Sequence, residues 1–186
     1  GDMGIDASGK PSDRFTPGIE IRARYTLVAE GAGGSVTREL EQRFGLRDAV
    51  GESHFALGIK EVWRVPQAQH KPGYVMHTMG WPLGGDAGGG GFIYHYGDGL
   101  VAIGLVTHFG YRNPHLSPFN EFQRLKTHPQ IAAMLKDGQR LGYGARSINE
   151  GGLQSLPRLS FRGGVLLGCA AGMLNVLRIK GVHNAM

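Results

Sequence analysis

Two glycine-rich turns carry the strongest chemical signal in the chain, because each follows a short apolar run. Residues 30–35 come after the apolar pair Leu27 and Val28. The second turn begins at Gly168, after residues 165–167, and continues with small residues. Glycine lets a flat ligand approach the main chain closely, and a helix that starts after such a turn presents N–H groups to a phosphate or sugar. These turns predict backbone sites for a cofactor, with a purely structural role as the alternative.

Catalysis by side chains has little support in the sequence. The eight histidines form no H-x-H or H-x-x-x-H pair and therefore do not indicate a metal site. Cys169 has small, apolar neighbours, which favours an inert buried thiol over a nucleophile. No Walker sequence, G-x-S-x-G elbow or carboxylate pair occurs. We therefore expect no catalytic side chain and no metal ligand in this chain. The sequence pattern suits a cofactor-binding protein better than a hydrolase.

The composition excludes several other classes of protein. With 186 residues and 41% hydrophobic content, the chain is large enough to form a packed core. Its single cysteine excludes an internal disulfide and an iron–sulfur cluster held by this chain alone. The net charge of +5 comes without a dense Lys/Arg run, so we expect no nucleic-acid partner, although a basic surface suits anionic lipid headgroups. No apolar stretch approaches the roughly 18 residues of a membrane span.

The local patterns change character near residues 46 and 150. Residues 1–46 predict a hairpin or loop, a strand over 19–29, a glycine turn and a helix over 36–44 with Ser35 as its N-cap. Residues 151–186 return to a strand, a glycine turn and a helix start near His183, and we expect the two end segments to pair in one sheet. A glycine-rich site close to the last residue indicates a piece of a longer protein.

The central segment, 47–150, predicts consecutive antiparallel strands. A Gly97-Asp98-Gly99 turn joins two β-prone runs, and Pro129 divides a helical stretch in two. Residues 84–91 predict a flexible loop, and residues 141–156 predict neither a helix nor a clean strand. The β-prone stretches are 54–65, 74–83, 92–96 and 100–109, and the helical stretch is 119–135. The whole chain therefore predicts an α+β fold, with a mostly antiparallel sheet and helices flanked by strand–turn–helix segments.

Several stretches resemble the electron transfer flavoprotein–ubiquinone oxidoreductase family, over nearly the whole chain. They include "LVAEGAGG", "KPGYVMHTMGWPL", "NPHLSPFNEFQRLKTHP", "YGARSINEGGLQSLP" and "KGVHNAM". The resemblance implies a split FAD domain at 1–46 and 151–186, with a ubiquinone-binding domain inserted at 47–150. It also implies an oxidoreductase that passes electrons from electron transfer flavoprotein to membrane ubiquinone, peripheral on an inner membrane at the bacterial cytoplasmic or mitochondrial matrix face. A [4Fe–4S] cluster would lie outside this chain, which by itself is expected to be inactive.

The resemblance also assigns site residues. The implied FAD contacts are Ala29, Glu30, Gly31, Gly168, Cys169, Gly172, Lys180, Gly181, Val182 and His183. The implied quinone contacts are the main chain at Gly89 and Gly90, with Phe92, Trp81 and Ile93 as possible apolar walls. A quinone is apolar with two carbonyl oxygens, so apolar walls with a few placed donors suit it.

The chain departs from the family pattern at three positions near the flavin loop. Leu177 stands where the family usually has proline, and Val182 and Asn184 stand where threonines are common. Two alternative functions follow from the same patterns: a related flavin-dependent isoprenoid (geranylgeranyl) reductase, and a quinone- or lipid-binding module without redox activity.

Overall fold

The computed structural model of the protein describes residues 1–176 and 181–186. The strands are β1 (Met3–Ile5), β2 (Pro11–Thr16), β3 (Thr26–Val28), β4 (Phe55–Arg64), β5 (Val75–Met79), β6 (Gly89–Tyr96), β7 (Leu100–His108), β8 (Gln139–Asn149), β9 (Ser160–Phe161) and β10 (Gly164–Leu166). The α-helices are α1 (Ser35–Phe44), α2 (Pro118–Lys126), α3 (Pro129–Leu135) and α4 (Val182–Ala185). The predicted α+β fold with mostly antiparallel pairing is confirmed.

A five-stranded antiparallel sheet forms the centre of the molecule, with strand order β5-β6-β7-β4-β8. Burial alternates along β5 and along the second half of β6, whereas the central strand β7 is buried along nearly its whole length. One face of the sheet packs beneath α2 and α3. Ile93 and Ile103 point to that side and pack with Phe122, Leu125 and Ile131 in the main core. The hairpin predicted at residues 97–99 joins β6 to β7, and Pro129 begins α3 as expected.

A smaller three-stranded sheet joins the two ends of the chain, with order β3-β10-β9. Val165 of β10 lies beside Leu27 of β3 in parallel register, in agreement with the expected pairing of the end segments. A second core around Val28, Leu46 and Leu166 packs this sheet against α1. Parallel neighbours require a long crossover, and here the whole five-stranded sheet lies within that connection.

Three local predictions differ from the structure. The strand expected over 19–29 is limited to β3, and Ile19 and Ile21 are 89% and 86% exposed because no described strand pairs with them. The irregular stretch expected at 141–156 is mostly the long strand β8, an edge strand whose pairing with β4 overrides its glycines. The loop expected at 84–91 ends early, because Gly89 and Gly90 already pair with β7.

Candidate functional site

The first candidate site is an open cleft of about 870 Å³ beside the glycine turn, called here the turn cleft. Its walls include Gly31, Gly33, Arg38, Arg146 and Cys169. A Cβ atom built on Gly31 or Gly33 would have no described atom within 4 Å, so both positions open toward free space. Gly31 has φ +83°, a conformation that favours glycine. Exposed main chain beside two arginines suits an anionic ligand.

Glu30, one of the expected FAD contacts, also caps the N-terminus of helix α1 beside this cleft. Its carboxylate accepts hydrogen bonds from the backbone N–H and the hydroxyl of Thr37, at 2.7 and 2.8 Å. The hydroxyl and then the N–H lower the pKa of Glu30 from its usual 4.5. The helix begins after Gly34, which makes no side-chain cap, so Glu30 replaces the expected Ser35 cap. An N–H at this helix N-terminus is thus already bonded to a protein carboxylate.

The second glycine turn reaches the turn cleft only in part. Cys169 and Ala29 both line the cleft, whereas Gly172 lies against Asn149 and lines a separate pocket. Gly168 has φ +60° and starts a single 3-10 turn, separated from the end of β10 by Leu167. The structure therefore brings Ala29, Gly31 and Cys169 together around one space.

The last group of expected flavin contacts lies at the end of the chain. Gly181 precedes α4, the four-residue helix that contains Val182 and His183. Within the described part of the chain, these three residues do not line the turn cleft. Asn184 donates a hydrogen bond from its side-chain amide to the Met173 carbonyl, at 2.8 Å. Lys180 and Leu177 lie outside the described residues.

The second candidate site is a mostly apolar cavity of about 400 Å³, called here the strand cavity. It lies on the face of the large sheet opposite α2 and α3. Gly89, Gly90 and Val106 form one side, and Leu174 and Val176 form another. The first three belong to the large sheet, and the last two belong to the end segment that follows the second glycine turn. The cavity therefore lies where the two parts of the fold meet.

The sheet itself requires glycine at both expected quinone contacts. A Cβ on Gly89 would lie 2.0 Å from the Val106 carbonyl oxygen, and a Cβ on Gly90 would lie 2.2 Å from that of Thr78. Gly89 also has φ +138°. Main chain rather than side chain therefore forms the floor of the strand cavity at this point.

The expected apolar walls are distributed over different surfaces. Phe92 shares the cavity face of β6 with Gly90, but its ring covers Gly104 and stacks on Tyr94 at 5.1 Å. Ile93 points into the main core, because successive residues of a strand face opposite sides. Trp81 lines a separate pocket of about 160 Å³ beside Met79, with its ring 5.5 Å from that of His128. Of the expected quinone residues, Gly89 and Gly90 line the strand cavity.

Sequence reasoning missed the polar end of this cavity, formed by His108 and Glu150. Nε2 of His108 lies 3.3 Å from Oε1 of Glu150, and the Glu150 side chain is 4% exposed. Burial raises the pKa of Glu150, while His108 and His54 act in the opposite direction. The "INEGG" stretch contains Glu150, but the partner lies on a strand distant in sequence, and only the pairing of β4 with both β7 and β8 joins them.

Residues 1–176 and 181–186 contain neither a candidate metal-ligand cluster nor a helix suited to span a membrane. No group of three or more histidine, cysteine, aspartate or glutamate side chains is arranged to hold a metal ion there. No described helix combines the length and apolar character that crossing a membrane requires.

Comparison with solved structures defines the class of fold. A geranylgeranyl bacteriochlorophyll reductase-like protein from Thermoplasma acidophilum matches 88% of this chain and 38% of its own, with a TM-score of 0.62 and 19% identity. The flavin-dependent brominase Bmp2 matches 92% of this chain and 42% of its own, with a TM-score of 0.59 and 13% identity. The fold is thus one that flavin-dependent enzymes use, and at these identities the likeness concerns the fold alone.

Sequence comparison is more specific. The family model described as "ETF-QO, ubiquinone-binding" matches residues 55–148. Electron transfer flavoprotein-ubiquinone oxidoreductase of Pseudomonas aeruginosa is 48% identical over all of this chain, and the mitochondrial protein of that name from Arabidopsis thaliana is 50% identical. The chain belongs to the ubiquinone-binding family of these oxidoreductases, and it spans 34% and 30% of the length of those two relatives.

Proposed function

We propose that this chain is the quinone-binding part, with adjoining FAD-binding segments, of an enzyme that passes electrons from reduced electron transfer flavoprotein to ubiquinone. The observation that carries the proposal is the position of the strand cavity. One wall, Gly89 and Gly90, belongs to the residues that match the ubiquinone-binding family. The other wall, Leu174 and Val176, belongs to the end segment where the resemblance implies flavin contacts. A quinone held there would lie beside the flavin segment, and short distance favours electron transfer between two ligands.

The strand cavity has the chemistry that a quinone ring needs. Its volume of about 400 Å³ lies within the range of small-molecule sites, and Val106, Ile148 and Leu174 give it apolar walls. The absence of a side chain at Gly90, beside the main chain of Gly89, leaves a flat strip of backbone for a planar ring. We assign quinone contact to Gly89 and Gly90, with Phe92 shaping the same face and Trp81 acting outside the cavity.

The turn cleft fits the anionic part of FAD. Gly31 and Gly33 leave space that side chains would fill, and Arg38 and Arg146 supply positive charge. We assign contacts to the expected set at both glycine turns, with Glu30 acting through the helix that it caps. Lys180, Gly181, Val182 and His183 complete the proposed set. When bound, FAD supplies two-electron redox chemistry, and this chain binds and orients it.

The surface around β5 favours contact with a membrane, where ubiquinone is dissolved. Met79 is 90% exposed, and Val75, Trp81 and Phe119 are also exposed. Trp81 has an apolar ring and one polar N–H, the combination that favours a membrane–water interface. We place the whole enzyme peripherally on an inner membrane, at the bacterial cytoplasmic or mitochondrial matrix face, with its [4Fe–4S] cluster held by residues outside this chain.

The domain boundaries of the proposal are 1–46 and 151–186 for the FAD segments and 47–150 for the quinone domain. The parallel pairing of β3 with β10 supports this division, since it joins the two ends in one sheet. Identity of 48–50% along the whole chain favours the quinone oxidoreductase over the isoprenoid reductase, whose structural relative is 19% identical.

The test is a two-step assay on the full-length protein that contains this chain. Reduced electron transfer flavoprotein is expected to bleach the enzyme's flavin absorbance, and a short-tailed ubiquinone is expected to restore it with formation of one quinol for each electron pair. A purified protein that contains flavin but reduces no quinone would refute the proposal. Reduction of an isoprenoid double bond instead would favour the reductase alternative.

A further inference from the structure

The polar end of the strand cavity is linked to solvent through one side chain. Glu150 is buried, but His108 beside it is 39% exposed, and both line the cavity that also contains Gly89 and Gly90. The backbone N–H of His108 donates to the Gly88 carbonyl at 3.0 Å, which fixes the end of β7 against the start of β6. The backbone N–H of Glu150 donates to the His54 carbonyl at 2.8 Å. A buried carboxyl group and a partly exposed imidazole, 3.3 Å apart, thus connect bulk water to an apolar cavity.

The groups that act on Glu150 or share its cavity come from several elements. His108 lies at the end of β7, and His54, just before β4, also acts on its charge. On β5, His77 lines the same cavity, and its Nε2 lies 2.9 Å from the Tyr94 hydroxyl. Burial favours the neutral, protonated carboxyl of Glu150, so this group can hold a transferable proton above the pH at which exposed glutamates ionise.

We propose, resting on the function proposed above, that Glu150 protonates an oxygen of a quinone bound in the strand cavity and that His108 returns a proton to Glu150 from solvent. A quinone becomes a quinol by gaining two electrons and two protons. In the proposed function the electrons are supplied by reduced flavin. A donor at the buried Glu150 would supply one ring oxygen with its proton inside the cavity, away from the mouth.

The proton steps are as follows. The carboxyl O–H of Glu150 breaks as a new O–H bond forms on one ring oxygen. The Glu150 carboxylate then takes a proton from Nε2 of protonated His108, and neutral His108 takes a proton from water. The other ring oxygen takes its proton from water at the mouth of the cavity, where His77 and Met79 are exposed. Glu150 touches the reacting oxygen, whereas His108 acts through Glu150.

The experiment compares Glu150→Gln, Glu150→Asp and His108→Gln in the full-length enzyme, with Glu52→Gln and His115→Gln as exposed controls. A short-tailed ubiquinone is the substrate. Removal of a proton donor slows the step that it assists by about a hundredfold. We expect a loss of about that size in quinol formation for Glu150→Gln, with flavin reduction by the donor protein unchanged. Glu150→Asp is expected to recover part of the rate.

His108 is tested by the pH profile. The His108→Gln variant is expected to lose quinol formation most at high pH. At low pH it is expected to recover toward the wild-type rate, because protons then reach Glu150 from water by a direct route. A second measurement needs no turnover: infrared difference spectra of the oxidised enzyme, with and without the ubiquinone, are expected to show a protonated carboxyl band that Glu150→Gln lacks.

Several results would overturn the assignment. These are a Glu150→Gln rate within about twofold of wild type, an equal loss in flavin reduction and quinol formation, or a carboxyl band that persists in Glu150→Gln. Failure of the wild-type enzyme to reduce ubiquinone would instead refute the proposed function, so the two failures are distinguishable.

Discussion

The carboxylate of Glu30 caps helix α1 through Thr37, with hydrogen bonds at 2.7 Å to its N–H and 2.8 Å to its hydroxyl. Loss of such a cap lowers stability by about 1 kcal/mol. We expect Glu30→Ala to lower the free energy of unfolding by about that amount, because the buried Thr37 loses both hydrogen bonds to this carboxylate. Urea denaturation measures the change. Glu39→Ala, on the exposed side of the same helix, is the control, and equal stability of the two variants would contradict the cap.

Sequence patterns predicted most of the fold where each element carries its own signal. Pro129 divides two helices, and the Gly97-Asp98-Gly99 turn joins two strands, because these residues restrict the local backbone. The patterns were wrong where tertiary pairing decides. Strand β8 contains Gly142 and Gly144 and has weak local preference, but β4 supplies partners along its length. Ile19 and Ile21 alternate like a strand, yet no described strand lies beside them.

For the candidate sites too, local sequence signals were informative, and features that depend on tertiary structure were missed. Glycine runs, which are local signals, and the family resemblance predicted Gly31 and Gly90 as site residues, and these two glycines line the turn cleft and the strand cavity. The His108–Glu150 contact was missed because the two residues lie far apart in sequence and meet through strand register. Trp81 has the large apolar ring expected of a cavity wall, but it lines a separate pocket. The direction of its side chain depends on the turn after β5, which a sequence pattern does not specify.

A second prediction concerns the buried carboxylate of Glu61, which is 2% exposed. Lys126 donates to it at 2.8 and 3.0 Å, and the Trp63 ring N–H donates at 2.8 Å. Replacement of one partner of a buried ion pair leaves an unpaired charge. We expect Glu61→Gln to lower the free energy of unfolding by about 3 kcal/mol at neutral pH. The exposed Glu20→Gln is the matched control, with an expected change within about 0.5 kcal/mol.

The pH dependence of this cluster has a definite sign. Burial by itself would raise the pKa of Glu61, but the hydrogen bonds from Lys126 and Trp63 and the charge of Lys126 hold it below its usual 4.5. The stabilisation is present above pH 4.5 and is lost as the pH falls through the lowered folded-state pKa. Acid titration of stability is expected to be shallower in Glu61→Gln than in wild type, and parallel curves would contradict this.

The third prediction concerns Gly90 of β6. A Cβ at Gly90 would lie 2.2 Å from the Thr78 carbonyl oxygen, so β5 and β6 must separate to accept it. We expect Gly90→Ala to lower the free energy of unfolding by about 1–3 kcal/mol, and Gly90→Val by more. Gly85→Ala is the control, since no described atom lies within 4 Å of its Cβ position.

In the full-length enzyme, both Gly90 variants are expected to impair quinol formation while leaving flavin reduction by the donor protein intact. The turn cleft lies on other segments, so bound flavin should be retained. Donor-driven bleaching and quinone-driven reoxidation, followed in one stopped-flow trace, separate the two steps. Normal reoxidation in Gly90→Ala would remove this residue from the quinone site.

The last prediction concerns His95 of β6, which is buried and 3% exposed. Its Nδ1 accepts a hydrogen bond from the Lys71 backbone N–H at 3.1 Å, which requires a neutral ring. The ring stacks on His70 with centroids 5.5 Å apart. Burial, followed by the charges of His70 and Lys71, lowers the pKa of His95 from its usual 6.5. Below pH 6.5 the unfolded chain therefore binds a proton that the folded chain resists.

Stability is consequently expected to fall as the pH drops below 6.5, by up to about 1.4 kcal/mol per pH unit from this group. The His95→Gln variant is expected to be less stable near neutral pH but to lose part of this dependence, because its side chain does not titrate. Urea denaturation at about pH 7.5 and about pH 5.5 provides the comparison. The exposed His115→Gln is the control and is expected to keep the wild-type difference between the two pH values. An unchanged difference in His95→Gln would show that another group causes the acid sensitivity.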